Sequence, residues 1–217
     1  MARTDTAHQR WNETWKSPEG RLAWSTPEDD VVACARKCHE SGARRALDLG
    51  CGVGRHALAL ARIGFDVDAL DGSESGLADL ARSARDLGLK VRTHHGLMTD
   101  LPFADGEFDY ILSFNVIYHG DPEIVARTVA EMRRALRPGG TLQLTMLSKR
   151  NVNYGKGEQV ATDTFVDREA DDDKTHPHFY CDAGGLVGLL RGFELVSLFD
   201  SEHMPGHWHW HAVAERL

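Results

Sequence analysis

The stretch ALDLGCGVGRHALAL, residues 46–60, decides the fold. It begins as an apolar strand, Ala46 to Leu49, passes through a turn with three alternating glycines, and continues as an apolar helix from about Arg55. Glycines in such a turn let a ligand approach the backbone closely, and the N–H groups of a starting helix attract carboxylate or phosphate. Asp71 ends the next strand, where a carboxylate accepts hydrogen bonds from ribose hydroxyls. The stretch therefore predicts a nucleoside-binding site.

The glycine spacing separates two classes of cofactor. A dinucleotide fingerprint, Gly-x-Gly-x-x-Gly, needs its third glycine at position 55, where this chain has Arg55, so NAD is disfavoured. Gly-x-Gly-x-Gly preceded by Asp48 and followed by the acidic Asp71 instead resembles motif I and the next acidic motif of class I S-adenosylmethionine (SAM) dependent methyltransferases. The three glycines are Gly50, Gly52 and Gly54.

Two later segments carry the same resemblance in the expected order. LPFADGEFDYILSFNVIYH, residues 101–119, resembles the fourth-strand region of family members of the small-molecule, Leu-Pro-Phe type, and LRPGGTLQLTM, residues 136–146, resembles their turn before the fifth strand. The tail 153–217 is loosely similar to tellurite-resistance-like members. The resemblance implies SAM as cofactor, S-adenosylhomocysteine as product and methyl transfer to a small-molecule acceptor.

The order of predicted elements indicates a single α/β domain. Strands and helices alternate, which is typical of a sheet covered on both faces, and the resemblance implies a Rossmann-like, doubly wound sheet of seven strands, mostly parallel with the last strand antiparallel. We expect four parts: a helical N-terminal lid or extension (1–45), the SAM-binding core (46–147), a substrate-side insertion without clear periodicity (148–182), and a C-terminal helix with two strands (183–217).

Composition limits the classes of partner. The chain has 217 residues with 41% hydrophobic content, which suits one core, and its formal net charge of −8 argues against nucleic acid or an anionic membrane. No apolar stretch approaches the roughly 18 residues of a spanning helix, and the N-terminus lacks a signal-peptide core, so we expect a cytoplasmic protein. It is expected to be a monomer or a homodimer. The four cysteines are expected to be free thiols, although Cys34, Cys38 and His39 could contribute to a metal site.

The resemblance assigns roles around the cofactor. Asp71 would hold the ribose, Asp48 would orient the loop or contact the amino group, and Arg55 would cap the carboxylate or brace the loop. Leu97 stands where Leu-Pro-Phe members commonly place an aspartate for the adenine amino group, and Asp100 would replace it only by a shift in register. The full cofactor set is Asp48, Gly50, Cys51, Gly52, Gly54, Arg55, Asp71, Gly72, Ser73, Met98, Thr99 and Asn115.

The acceptor side is less defined. Asn115 to Tyr118 has the outer residues of the Asn-Pro-Pro-Tyr motif of amino-methylating enzymes but not the prolines, so methylation of a nucleobase or an amide loses its main support. His119 could take a proton near neutral pH or simply pack. The catalytic candidates are His119, Tyr118 and His178, and the acceptor-contact candidates are Tyr154, His176, Tyr180 and His209.

Several features allow alternatives. The chain has 12 histidines, and a strand would place 207, 209 and 211 on one face, as a metal site or as polar residues at a cleft; we assign no metal ligand. Trp11 and Trp15 could close over the sulfonium or staple their helix to the core. The acidic stretch 167–173 is read as a solvated loop that could attract a cationic acceptor. A SAM-binding regulatory protein without transferase activity and a histidine-rich metal-binding protein therefore remain alternative functions.

Overall fold

The computed structural model of the chain describes residues 4–170 and 173–217. The first three residues of the predicted N-terminal extension, and Asp171 and Asp172 of the acidic stretch, lie outside the described residues. Within those residues, no helix is both long enough and apolar enough to cross a membrane.

The N-terminal segment forms helices, as its apolar spacing predicts. They are α1 (Ala7–Thr14), α2 (Pro18–Leu22) and α3 (Asp29–Glu40). The side chain of Ser17 accepts a hydrogen bond from Gly20 N–H at the start of α2, because the first N–H groups of a helix have no partner within it.

The remaining elements alternate through the core and continue through the insertion and the C-terminal part. The core contains β1 (Arg45–Leu49), α4 (Arg55–Ile63), β2 (Asp66–Asp71), α5 (Glu74–Asp86), β3 (Val91–His95), β4 (Phe108–Ser113), α6 (Pro122–Ala135) and β5 (Leu136–Leu147). The insertion contains β6 (Glu158–Ala161), β7 (Thr164–Val166), a 3₁₀ helix (Asp173–Thr175) and β8 (His178–Phe179). The C-terminal part contains α7 (Ala183–Leu189), β9 (Phe193–Glu202) and β10 (Trp208–Arg216).

Seven strands make one sheet in the order β3-β2-β1-β4-β5-β10-β9. Strands β1 to β5 pair in parallel, whereas β10 is antiparallel to both β5 and β9. This confirms the predicted Rossmann-like sheet with an antiparallel last strand. The chain reverses its strand order between β1 and β4, so the carboxyl ends of β1, β2 and β4 border one crevice, the usual ligand site of such sheets.

Two hydrophobic clusters cover the two faces of the sheet. Leu47 and Ile111 belong to a cluster with α6 and α7, while Ala46 and Tyr110 belong to one with α3, α4 and α5. Neighbouring residues of a strand point to opposite faces, so β1 and β4 supply both clusters and are buried on both sides. Cys34 and Cys38 pack at the edge of the second cluster, and all four cysteines are free thiols, as predicted.

The insertion differs from the sequence-based description. Instead of an irregular loop, β6, β7 and β8 form a small antiparallel sheet of their own. These strands have only two to four residues each, too few for alternation of side chains to be visible in the sequence. Backbone hydrogen bonds join the insertion to the core, since Phe179 N–H donates to Tyr118 O over 2.9 Å.

Candidate active site

A cleft opens at the carboxyl ends of β1, β2 and β4 and encloses about 960 Å³, including the solvent at its mouth. This is a usual size for a small-molecule site. Many members of the predicted cofactor set line it: Gly50, Cys51, Gly52, Arg55, Asp71, Gly72, Met98, Thr99 and Asn115. Three other predicted members, Asp48, Gly54 and Ser73, are not among the lining residues.

Asp71 ties the glycine turn to the start of α5. Its Oδ2 accepts a hydrogen bond from Gly52 N–H over 2.7 Å, and its Oδ1 accepts one from Ser73 N–H over 2.7 Å. Burial raises the pKa of Asp71, and these two N–H donors act in the opposite direction. Each carboxylate oxygen has a second lone pair, so Asp71 can also accept from hydroxyl groups in the cleft.

The glycine turn exposes its backbone to the cleft because side chains do not fit there. Gly50 and Gly52 adopt positive φ angles of 73° and 53°, a region that L side chains rarely enter. A Cβ on Gly50 would lie 2.4 Å from the side chain of Val116, and one on Gly72 would lie 2.6 Å from His8 Cβ. Glycine is required for this packing, and it leaves the turn open to a ligand.

Asp48 lies beneath the turn rather than in the cleft. Its side chain is buried, and among the described residues its Oδ2 has no hydrogen-bond partner. Burial raises the pKa of Asp48 to about 7, while a hydrogen bond from Ala57 N–H and the charge of Arg55 act in the opposite direction. Ala57 lies in the first turn of α4, so this contact supports the loop-orienting role predicted for Asp48.

Arg55 braces the N-terminal segment. Its Nη1 lies 2.8 Å from Glu28 Oε1 and donates to Thr26 O over 3.1 Å. Its guanidinium also stands over the rings of Trp24 and Phe114, 5.1 and 5.6 Å from their centroids. These contacts join the residue after the glycine turn to the N-terminal segment, and the two roles predicted for Arg55, capping the carboxylate and bracing the loop, stay predictions.

The N-terminal segment supplies one wall of the cleft, which the predicted cofactor set did not include. Trp11 and Trp15 stack with centroids 5.0 Å apart, and Trp24 meets Trp11 edge-on at 5.3 Å. The lining residues from this segment are Asp5, Ala7, His8, Trp11, Trp15 and Trp24. The one-turn spacing of Trp11 and Trp15 was the only sequence signal, and it does not reveal where their helix docks.

The wall beyond β3 is largely apolar. Leu97, Met98 and Thr99 line the cleft, whereas Asp100 is exposed and is not a lining residue. A shift in register that would bring Asp100 into the cleft is therefore not observed.

Of the acceptor-side candidates, all of which lie in the described residues, His119 alone lines the cleft. His119 is buried and lines the cleft; its ring centroid lies 4.6 Å from that of Tyr118 and 4.7 Å from that of His178. Burial and the neighbouring histidines lower the pKa of His119 well below its usual value. Tyr154 and Tyr180 instead pack against Phe165 of the insertion and do not line the cleft.

Several histidines form two clusters in the structure, and the sequence alone does not show which residues belong to each cluster. His119 Nδ1 lies 2.9 Å from His176 Nε2, and His178 Nε2 lies 3.2 Å from Asp173 Oδ2. Burial lowers the pKa values of His176 (to about 3) and His178, so both rings are neutral at pH 7.

The second cluster lies where β9 turns into β10. His209 and His211 share a face, as predicted, but His207 precedes β10. Their partner is His203, which stacks on His209 at 3.9 Å and lies 2.9 Å from His211, Nε2 to Nε2. The spacing within β10 gave no sign of His203, because the contact depends on how β9 pairs with β10.

Comparisons with known proteins find that this chain is similar to methyltransferases. Residues 46–140 match the family described as methyltransferase domain. A putative methyltransferase of Encephalitozoon cuniculi is 36% identical over 169 residues, 70% of this chain and 75% of that protein. A probable SAM-dependent methyltransferase of Mycolicibacterium smegmatis is 31% identical over 178 residues, 81% of this chain and 62% of that protein. The chain thus spans less than two thirds of the length of several curated relatives, the latter among them.

A solved structure shows the same similarity. The crystal structure of a SAM-dependent methyltransferase from Methanosarcina mazei superposes with a TM-score of 0.66 at 25% identity. The superposition covers 80% of this chain and 92% of that one.

Proposed function

The chain belongs to the class I SAM-dependent methyltransferases, and on this premise we propose that it transfers the SAM methyl group to a small-molecule acceptor and releases S-adenosylhomocysteine. The observation that carries the proposal is the contact between Asp71 and the backbone of the glycine turn, in which Asp71 accepts hydrogen bonds from Gly52 N–H and Ser73 N–H. It sets a carboxylate and an exposed backbone side by side at the strand ends, as binding of a nucleoside with a charged tail requires.

The residues of the cleft suit SAM. Asp71 would accept hydrogen bonds from the ribose, and the apolar wall with Leu97 and Met98 would contact the adenine. The stacked Trp11 and Trp15 offer aromatic faces, which attract a cation such as a sulfonium. Bound SAM supplies an already activated methyl group, so the chain's own task is alignment more than covalent catalysis.

Two features support a small acceptor. The N-terminal segment covers the cleft with His8 and three tryptophans, which leaves a confined space rather than an open surface for a macromolecule. The formal net charge of −8 also disfavours nucleic acid. His119, buried at the cleft wall, is placed to contact the acceptor.

Calorimetry with SAM and S-adenosylhomocysteine tests the cofactor site. Asp71→Ala is expected to weaken binding by about 1 to 3 kcal/mol, because it removes the hydrogen bonds to the ribose. Asp100→Ala is the matched control, since this exposed carboxyl lies near the same end of the sheet but outside the cleft. A melting curve of each variant checks that it is folded. Unchanged affinity in folded Asp71→Ala would contradict the cofactor site.

A separate experiment tests methyl transfer. A cell extract incubated with the protein and methyl-labelled SAM should yield a labelled small molecule that is absent without the protein. If the protein binds S-adenosylhomocysteine tightly but labels no acceptor in extract, the regulatory SAM-binding alternative replaces the transferase.

A further inference from the structure

We propose that His119, Asp173, His176 and His178 form a zinc site that fastens the insertion to the loop after β4. Each side chain brings one potential ligand atom, and these four atoms all lie within 4.8 Å of one another. His119 comes from the loop between β4 and α6, whereas the other three come from the insertion. Imidazole and carboxylate groups are zinc ligands, and four protein ligands are typical of a closed, tetrahedral structural site.

The distances within the cluster fit one ion. The 2.9 Å from His119 Nδ1 to His176 Nε2 and the 3.2 Å from His178 Nε2 to Asp173 Oδ2 are edges of the group. Ligand atoms 2.0–2.1 Å from a tetrahedral zinc ion lie about 3.3 Å apart. These two pairs are within about 0.4 Å of that spacing, and the widest pairs, up to 4.8 Å apart, would close by up to about 1.5 Å through side-chain rotation to bind the ion.

Backbone carbonyls orient two of the rings. His119 Nε2 lies 3.2 Å from Asn115 O, and His178 Nδ1 lies 2.7 Å from His176 O. A carbonyl oxygen only accepts, so each of these ring nitrogens carries a hydrogen and donates it. In the neutral rings this leaves His119 Nδ1 and His178 Nε2 with lone pairs directed into the cluster. Zinc-binding histidines are commonly oriented by such a second hydrogen bond.

Two of these groups present acceptor atoms to each other, an arrangement that a cation between them would stabilise. With its proton on Nδ1, His178 presents an acceptor at Nε2, which faces a second acceptor, Asp173 Oδ2, over 3.2 Å. Lys174 Nζ lies 2.7 Å from Asp173 Oδ1 and 3.3 Å from His178 Nε2, so its ammonium supplies part of this charge at the rim. Zinc and Lys174 would therefore compete for the same pair of ligands.

The site would connect two parts of the acceptor side. His119 lines the cleft, and zinc on its Nδ1 would fix that ring while its Nε2 keeps the bond to Asn115. The effect on the acceptor rests on the proposed function, but the presence of the metal does not.

Metal analysis of protein made without a polyhistidine tag tests the site. After zinc loading and gel filtration, we expect about one zinc ion per chain by plasma mass spectrometry, and cobalt in its place should give the intense visible bands of a tetrahedral ion. Asp173→Asn and His176→Gln should lose the retained metal. His203→Gln, which removes a histidine of the other cluster, should retain it.

A charge variant supplies an independent arm. Lys174→Met removes the competing ammonium, so zinc affinity measured by competition with a chelator should rise by about tenfold or more. Folding of every variant is checked by circular dichroism. Three results would each overturn the proposal: folded wild-type protein that retains no zinc, wild-type levels of retained zinc in Asp173→Asn and His176→Gln, or a zinc affinity of Lys174→Met equal to that of the wild type. Calorimetry with S-adenosylhomocysteine on the same samples reports separately on the proposed function.

Discussion

The buried carboxyl of Asp48 makes the free energy of unfolding depend on pH. It lies under the turn, and burial raises its pKa from the ordinary value of 3.8 to about 7. The folded protein therefore holds the proton of Asp48 more tightly than the unfolded chain does. The resulting stabilisation is fully present below pH 3.8 and is lost as the pH rises through about 7.

The first prediction concerns Asp48→Asn, which removes this titration. From pH 5 to pH 8 the wild type should lose about 2 to 3 kcal/mol of unfolding free energy through Asp48. Asp48→Asn should not lose this part of its unfolding free energy between the two pH values, whatever its absolute stability. Urea unfolding of both proteins at the two pH values measures the difference between their slopes.

Other groups also titrate in this pH range. They titrate in both proteins, so their contributions cancel when the slope of the variant is subtracted from that of the wild type. Asp71 acts in the same direction as Asp48, whereas His56, whose pKa burial lowers to about 3, acts in the opposite direction as the pH falls below 6.5. Identical slopes for wild type and Asp48→Asn would show that Asp48 is ionised throughout.

At the residue scale, the sequence predicts groups whose position follows from the strand that carries them. Gly50 and Gly52 follow β1 and Asp71 ends β2, and the structure places all three at the cleft. Asp173 was read only as part of a solvated acidic stretch. It meets His119 through the packing of the insertion, and no local pattern encodes that contact.

At the scale of elements, Asn12 joins α1 to the core. Asn12 Oδ1 accepts hydrogen bonds from Ser75 N–H over 3.0 Å and from the Ser73 hydroxyl over 3.2 Å. The Ser75 hydroxyl also donates to Asn12 O over 2.6 Å. These contacts join α1 to the first turn of α5, beside Asp71, and so place Trp11 and Trp15 over the cleft.

The second prediction is that Asn12→Ala loosens α1 alone. Two side-chain hydrogen bonds are lost, worth about 1 to 2 kcal/mol together, so amide exchange in α1 should accelerate by roughly five- to thirtyfold. Hydrogen exchange read by mass spectrometry should show no change in α4. The exposed Gln9→Ala on the same helix is the control, and equal exchange rates in both variants would rule out this anchoring role.

Elements were predictable where they are long and periodic. The apolar run of α4 predicts a helix from about Arg55, where the structure begins it, and Asp121-Pro122 at the start of α6 is a pair typical of helix starts. The Asp121 side chain caps α6 by accepting from Glu123 N–H and Ile124 N–H. The strands of the insertion were missed because they are short and their pairing is tertiary, and the docking of α1 likewise depends on contacts between distant segments.

At the scale of the whole molecule, the sequence predicts a single domain comprising the N-terminal extension, the core, the insertion and the C-terminal part. The structure joins these parts through several contacts. Thr4 donates to Asp121 over 2.8 Å, Arg55 pairs with Glu28, and Phe179 N–H donates to Tyr118 O. The N-terminal segment and the core both line the cleft, and the insertion and the C-terminal part are joined to the core, so binding of the cofactor should stabilise these parts together.

The third prediction follows from this coupling: calorimetric unfolding should show one transition, and S-adenosylhomocysteine should shift all of it. At about 100 times its dissociation constant, the ligand adds about 2.7 kcal/mol to the unfolding free energy. For a chain of this size that raises Tm by roughly 5 to 10 °C. NAD at the same concentration is the control, since Arg55 occupies the glycine position that a dinucleotide fingerprint needs. A second transition that does not move with ligand would mean that the extension or the insertion unfolds as a separate unit, and it would contradict the single domain.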